Sequence, residues 1–131
     1  MRINEVSKEF GLSQDTLRYY ERIGLIPPVP RKSGGIRDYD ETSLRWIEFI
    51  KCMRSAGLPI DKLIVYVNLY QQGAKTASAR KQLLIEERDR LVERITVLET
   101  TLARLNGKIK RYENGEFHSK IPVIDCDKTG I

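Results

Sequence analysis

Between Thr76 and Tyr112 the chain has no proline, and Leu84, Leu91, Leu98, Leu105 and Tyr112 recur every seventh residue, with Ile95, Leu102 and Ile109 interleaved. These are the a and d positions of a heptad, and only Arg88 interrupts them. An apolar stripe two residues wide in seven is too narrow for a helix buried in its own core. At 1.5 Å per residue such a helix runs roughly 55 Å, too long to cover its stripe against a small headpiece. The stripe requires a second helix, most simply from an identical chain, and an isolated charged helix would leave that seam in water. The expectation is a homodimer through Leu84, Leu91, Ile95, Leu98, Leu102, Leu105, Ile109 and Tyr112.

The 131 residues allow one compact domain plus this extension. The longest apolar run, Leu63 to Val67, is far too short to span a membrane, and the start of the chain lacks the apolar stretch of a signal peptide. A cytoplasmic protein with no membrane partner is expected. Net charge is +5, with 12 Lys and Arg against 9 Asp and Glu in residues 1–75 and 11 against 9 in the remainder, so any surface for a polyanion must arise by folding. Cys52 and Cys126 lie too far apart for a paired metal knuckle, and each is read alone.

Ahead of the heptads, Ile3, Val6, Phe10 and Leu12 have helical spacing, with Asn4 able to cap and Gly11 able to stop. Ser13 then caps a second short helix carrying Leu17, Tyr20 and Ile23 up to Gly24. Two helices joined by a tight turn match a helix-turn-helix, whose second helix reads a DNA major groove. Residues 27–39, with three prolines and Gly34-Gly35, suggest a two-stranded wing made basic by Arg31, Lys32 and Arg37. Asp40 caps a third helix from Leu44 to Ala56, stopped by Gly57, and a fourth follows Pro59 to Gly73. On the third helix Arg54 falls within the apolar arc, its head group reaching either a carboxylate or a phosphate. Cys52 falls on the border of that arc, where a thiol is reachable. The expected organisation is a DNA-binding headpiece at 1–73, a dimerisation helix at 76–112 and a tail at 113–131.

The stretches Ile3-Asn4-Glu5-Val6-Ser7, Gly11-Leu12-Ser13, Thr16-Leu17-Arg18-Tyr19-Tyr20-Glu21 and Gly24-Leu25-Ile26 strongly resemble the MerR family of bacterial transcription regulators. Gly35-Ile36-Arg37-Asp38-Tyr39 is similar to the family's wing, with Ile36 where a tyrosine is usual, and Arg54-Ser55-Ala56-Gly57-Leu58 to the end of its third helix. The resemblance implies a mainly α fold: winged helix-turn-helix headpieces joined by an antiparallel coiled coil. It implies a dimer on promoter DNA that acts with RNA polymerase, activating by bending and untwisting an overlong spacer. By position, the implied DNA contacts are Ser13, Thr16, Arg18, Tyr19, Tyr20, Arg37 and Tyr39, with Arg54 on a phosphate. Trp46 to Arg54 resembles the branch that answers aldehyde and nitrosative stress through one cysteine, which makes Cys52 the implied sensor.

Metal-sensing members carry cysteines at the start of the coiled coil, where Ala77-Ser78-Ala79-Arg80 has none. Cys126 and His118 are too few ligands for a zinc site in one chain, although two Cys126 could meet across a dimer. Neither a metal nor another cofactor is therefore expected. A metal- or ligand-responsive regulator using the tail and an architectural DNA-bending protein with no effector are the alternatives. With one histidine, no Gly-rich phosphate loop and no nucleophile constellation, an enzyme is not expected.

Overall fold

The computed structural model describes residues 1–116. Five α-helices occur among them: α1 (Ile3–Phe10), α2 (Gln14–Arg22), α3 (Glu41–Ser55), α4 (Ile60–Gln71) and α5 (Ala77–Glu113). A single 3-10 turn, Ala74–Thr76, precedes α5. By their contacts the described residues form two compact units, one of Met1–Glu87 and one that begins at Arg88.

Local chemistry sets most of the helix ends in the first unit. Ser13 caps α2 by accepting from the Thr16 N–H at 3.0 Å, and Asp40 caps α3 by accepting from the Ser43 N–H at 2.8 Å. Hydrogen bonds from the Ser43 N–H and hydroxyl hold the Asp40 carboxyl below its usual range. Gly11, at φ 66°, ends α1 in the left-handed region that a glycine enters without strain. Asn4 is not the α1 cap. The helix starts one residue ahead of it, with Arg2 as cap residue, because the Glu5 carboxylate reaches back to the Arg2 N–H at 3.0 Å.

The core of this unit takes Val6 from α1, Leu17 from α2, Leu25 and Ile26 from the turn after it, Ile47 and Ile50 from α3, and Leu63 and Val67 from α4. Burying each Leu or Ile contributes roughly 1.5–3 kcal/mol, so the helix-turn-helix is held by α3 and α4 as much as by its own turn. The junction into α5 is tied locally. The Thr76 hydroxyl lies 2.6 Å from the Leu69 carbonyl, and the Arg80 guanidinium stands over the Tyr70 ring at 5.0 Å.

The wing differs from expectation. It is a hairpin with one isolated antiparallel bridge, Arg31 to Arg37, and not two strands. The Lys32 N–H donates to the Ile36 carbonyl at 2.8 Å and the Asp38 N–H to the Pro30 carbonyl at 2.8 Å. Pro27, Pro28 and Pro30 remove the N–H groups that a longer ladder would need on that side. The tip turns on Gly34 and Gly35, at φ 90° and 79°.

In the second unit α5 continues through Gly107 to Glu113. Along it Ile95, Leu98, Leu102, Leu105, Ile109 and Tyr112 are exposed, Leu98 by 61%, which is the seam read from the heptads. Leu84, in the first unit, is at 37% and Leu91 is half-buried.

Candidate nucleic-acid interface

The exposed side of α2 carries the residues that a groove-reading helix needs. Arg18 and Tyr19 both face solvent, the Tyr19 ring being 38% exposed with the Arg22 guanidinium 5.4 Å from its centroid. Ser13 and Thr16 share a hydroxyl contact of 2.8 Å at the start of the helix, where side chains of a reading helix approach base edges. Arg18 donates to Asp15 at 3.1 Å and to Gln14 at 3.4 Å, which lays the guanidinium along the first turn.

Glu21 joins this helix to the wing. Its carboxylate accepts from Arg37 Nε at 2.7 Å and from the Val29 N–H at 2.9 Å, and Arg31 stands 3.9 Å away. Burial alone would push this carboxyl up, but the Arg37 and Val29 hydrogen bonds and the charges of Arg37 and Arg31 outweigh it and hold Glu21 below the usual carboxylate range. Arg37 is therefore a brace between wing and reading helix as well as a surface cation. The Met1 ammonium completes the base of the wing, donating to the Tyr39 carbonyl at 2.8 Å, while the Tyr39 N–H returns a bond to the Met1 carbonyl at 2.8 Å.

Two expected contacts lie inside. Tyr39 is 1% exposed, and its buried hydroxyl has no hydrogen-bond partner among the described residues. The side chain is core, a correction to its reading as a DNA contact. Tyr20 is 8% exposed and packs in the same cluster, so its ring too is chiefly a core element. Burial pushes its hydroxyl up, opposed by the nearby Arg54 charge. Among the described residues Arg54 forms no ion pair with a carboxylate; its Nη1 donates to the Leu58 carbonyl at 2.7 Å and closes the end of α3.

Between the starts of α1 and α2 and the wing tip lies a concavity of about 450 Å³ bordered by Arg2, Gln14, Arg18, Ile36 and Arg37. The sequence assigns no role to Arg2 or Gln14, and marks Ile36 only as standing where a tyrosine is usual. Gln14 is the first residue of α2 and could have been marked by position. Arg2 has no local signal, since only the Met1–Tyr39 pairing brings it to the wing.

Cys52 is exposed on α3, as its border position suggested. The cations beside it in sequence are engaged elsewhere, Lys51 with the Phe10 carbonyl and Arg54 with that of Leu58. One turn before Cys52, Phe49 joins Trp46, Tyr66 and Tyr70 in an edge-packed aromatic cluster, with Trp46 and Tyr70 centroids 4.9 Å apart, lining a cleft of about 310 Å³. Among the described residues, no group of three or more His, Cys, Asp or Glu could hold a metal. Cys126 and His118 lie outside the described residues.

A family model for MerR helix-turn-helix regulatory proteins matches residues 1–68, and a second, for MerR DNA binding, matches residues 44–108. The chain belongs to the MerR family of DNA-binding transcription regulators. It is 61% identical over 93 residues to the helix-turn-helix transcriptional regulator AdhR of Bacillus subtilis, an alignment covering 71% of this chain and 66% of AdhR, just under two thirds. A MerR-family regulator from Listeria monocytogenes has a crystal structure that superposes with TM-score 0.84 at 47% identity, over 86% of each chain. The structure of HiNmlR, a MerR-family regulator lacking the sensor domain and bound to promoter DNA, superposes with TM-score 0.77 over 89% of this chain and 93% of that one. At 24% identity that likeness speaks for the fold alone. Among the described residues no helix is long and apolar enough to cross a membrane.

Proposed function

We propose that this chain works as a homodimer that binds promoter DNA and activates transcription by distorting it, with Cys52 as the sensor of aldehydes or other thiol-reactive compounds. The observation that carries the DNA side is the exposed Arg18–Tyr19 face of α2 braced to a basic wing through Glu21. In this reading Ser13, Thr16, Arg18 and Tyr19 approach the major groove, the wing with Arg37 tracks the backbone, and the exposed remainder of Arg54 meets a phosphate. The α5 seam pairs antiparallel with its copy, spacing the two reading helices along one face of the duplex.

The exposure of Cys52 and the resemblance of the Trp46–Arg54 stretch to the aldehyde-responsive branch support the effector reading. Addition of the thiol to an aldehyde forms an S–C bond and moves the thiol proton to the former carbonyl oxygen. An added group at the edge of α3 changes how a headpiece sits in the dimer, and two headpieces held on DNA convert that change into bend and twist. Such deformation costs on the order of 1 to 6 kcal/mol, small enough for one modification to bias two states. RNA polymerase at the same promoter reads the outcome.

The test is footprinting of the purified protein on the DNA upstream of its own coding sequence, before and after aldehyde treatment. A two-lobed protected site whose centre becomes distorted on treatment is expected. Protection by a protein that sediments as a monomer at micromolar concentration overturns the dimer, and an unchanged footprint with unchanged transcription overturns the effector.

A further inference from the structure

The concavity between the wing tip and the starts of α1 and α2 collects one guanidinium from each of three elements: Arg2 at the start of α1, Arg18 on α2 and Arg37 on the wing. Two are already partly compensated. Arg18 bonds Asp15 and Gln14, and Arg37 is bonded to Glu21. Arg2 is different: its side chain is exposed and makes no cap bond to α1 and no ion pair among the described residues. Its backbone is nevertheless fixed from both sides. The Arg2 N–H donates to Glu5 and the Arg2 carbonyl accepts from the Val6 N–H at 3.1 Å, while Met1 is paired with Tyr39 and its ammonium lies 3.2 Å from Asp38.

We propose that Arg2 anchors a phosphate-binding notch formed with Arg18 and Arg37, and that its occupant is the backbone of the DNA strand flanking the groove that α2 enters. The inference rests on the DNA-binding reading above and deepens it. A cation held at a fixed backbone position, beside two others that are only partly neutralised, attracts an anion. Guanidinium groups grip phosphate oxygens through paired N–H donors. The remaining rim suits a nucleic-acid strand better than a free anion. Ile36 at the wing tip is 47% exposed, an apolar surface of the kind a deoxyribose covers, and Gln14 stands where the reading helix begins. Contacts of this type place a protein on the duplex without reading its sequence.

The test measures affinity against salt for wild type, Arg2→Ala, Arg2→Gln and Arg45→Ala on two duplexes, the chain's own upstream DNA and a shuffled sequence of equal length. Arg45, 77% exposed on α3 and not part of the notch, controls for the loss of a charge as such. Each lost phosphate contact removes about 0.9 from the slope of log affinity against log salt, so a dimer losing two should show a slope shallower by roughly 1.8. Over the interval from about 50 to 200 mM salt, wild-type affinity then falls roughly tenfold further than that of either Arg2 variant, on both duplexes. Far-UV circular dichroism checks folding, which the variants should keep because the Arg2 side chain makes no cap bond. Arg2 variants with the wild-type slope, or an Arg45→Ala slope that shrinks as much, overturn the notch while leaving DNA binding intact. Wild type that binds neither duplex overturns the DNA-binding reading and the notch with it.

Discussion

Tyr39 and Glu21 show how a residue's role is set by what folds around it. The Tyr39 hydroxyl is buried with no partner among the described residues, and an unmade hydrogen bond of that kind costs about 1–3 kcal/mol. Tyr39→Phe should therefore leave the urea midpoint unchanged or raise stability by up to about 1 kcal/mol, with DNA affinity intact. A stable Phe variant that binds DNA tenfold more weakly would restore the hydroxyl as a contact. Glu21 has the opposite character. Its folded value lies below the ordinary 4.5, so its contribution is complete above that pH and is lost as pH falls through 4.5 toward the folded value. Glu21→Gln should unfold more easily than wild type at pH 7, and the gap in urea midpoint should close on acidification. A gap independent of pH would show that the carboxylate charge is not what holds the wing. Glu21 stood in the sequence motif without an assigned role, because Val29 and Arg37 lie eight and sixteen residues away.

At the scale of elements, helix ends were the most legible feature where a cap side chain acts within its own turn. Ser13 and Asp40 are legible in the sequence as caps and act as such, whereas α1 starts on a Glu5 bond to Arg2 that the presence of Asn4 obscures. The Pro- and Gly-rich stretch that ends in the extended run Ile36 to Tyr39 suggests two strands, and nothing in that local pattern reveals that the prolines leave only one bridge. The seam of α5 was legible because its period is a property of the helix alone. Leu98→Asp with Leu102→Asp places four carboxylates per dimer into that seam, where an unpaired buried charge costs several kcal/mol. The variant should sediment as a monomer and lose most operator affinity, since two linked headpieces bind far better than one. A dimer that survives both substitutions would move the interface off α5.

In the proposed mechanism, the behaviour of the whole molecule depends on coupling the Cys52 thiol to the separation of two reading helices. Cys52→Ser should still bind the operator but no longer raise transcription when an aldehyde or nitrosating agent is added, whereas Cys126→Ser should respond normally. In vitro transcription with the two variants decides this, and a Cys52→Ser protein that still switches would remove the thiol from the mechanism. The bias available to such a switch is bounded by the cost of deforming DNA, on the order of 1 to 6 kcal/mol, so variants are expected to alter the level of transcription more than occupancy of the site.

By itself the sequence determined the helices, their caps at Ser13 and Asp40, the class of DNA reader and the heptad seam, because each is written in residues within a few turns of one another. The tertiary structure alone decided that Tyr39 and Tyr20 turn inward, that Arg37 braces Glu21, that Arg54 closes α3 on Leu58, and that Arg2 meets the wing. A motif fixes which side chain stands at a position. Whether that side chain reaches DNA, core or carboxylate depends on neighbours brought from distant parts of the chain, and the Met1–Tyr39 pairing, across 38 positions, leaves no periodicity to read.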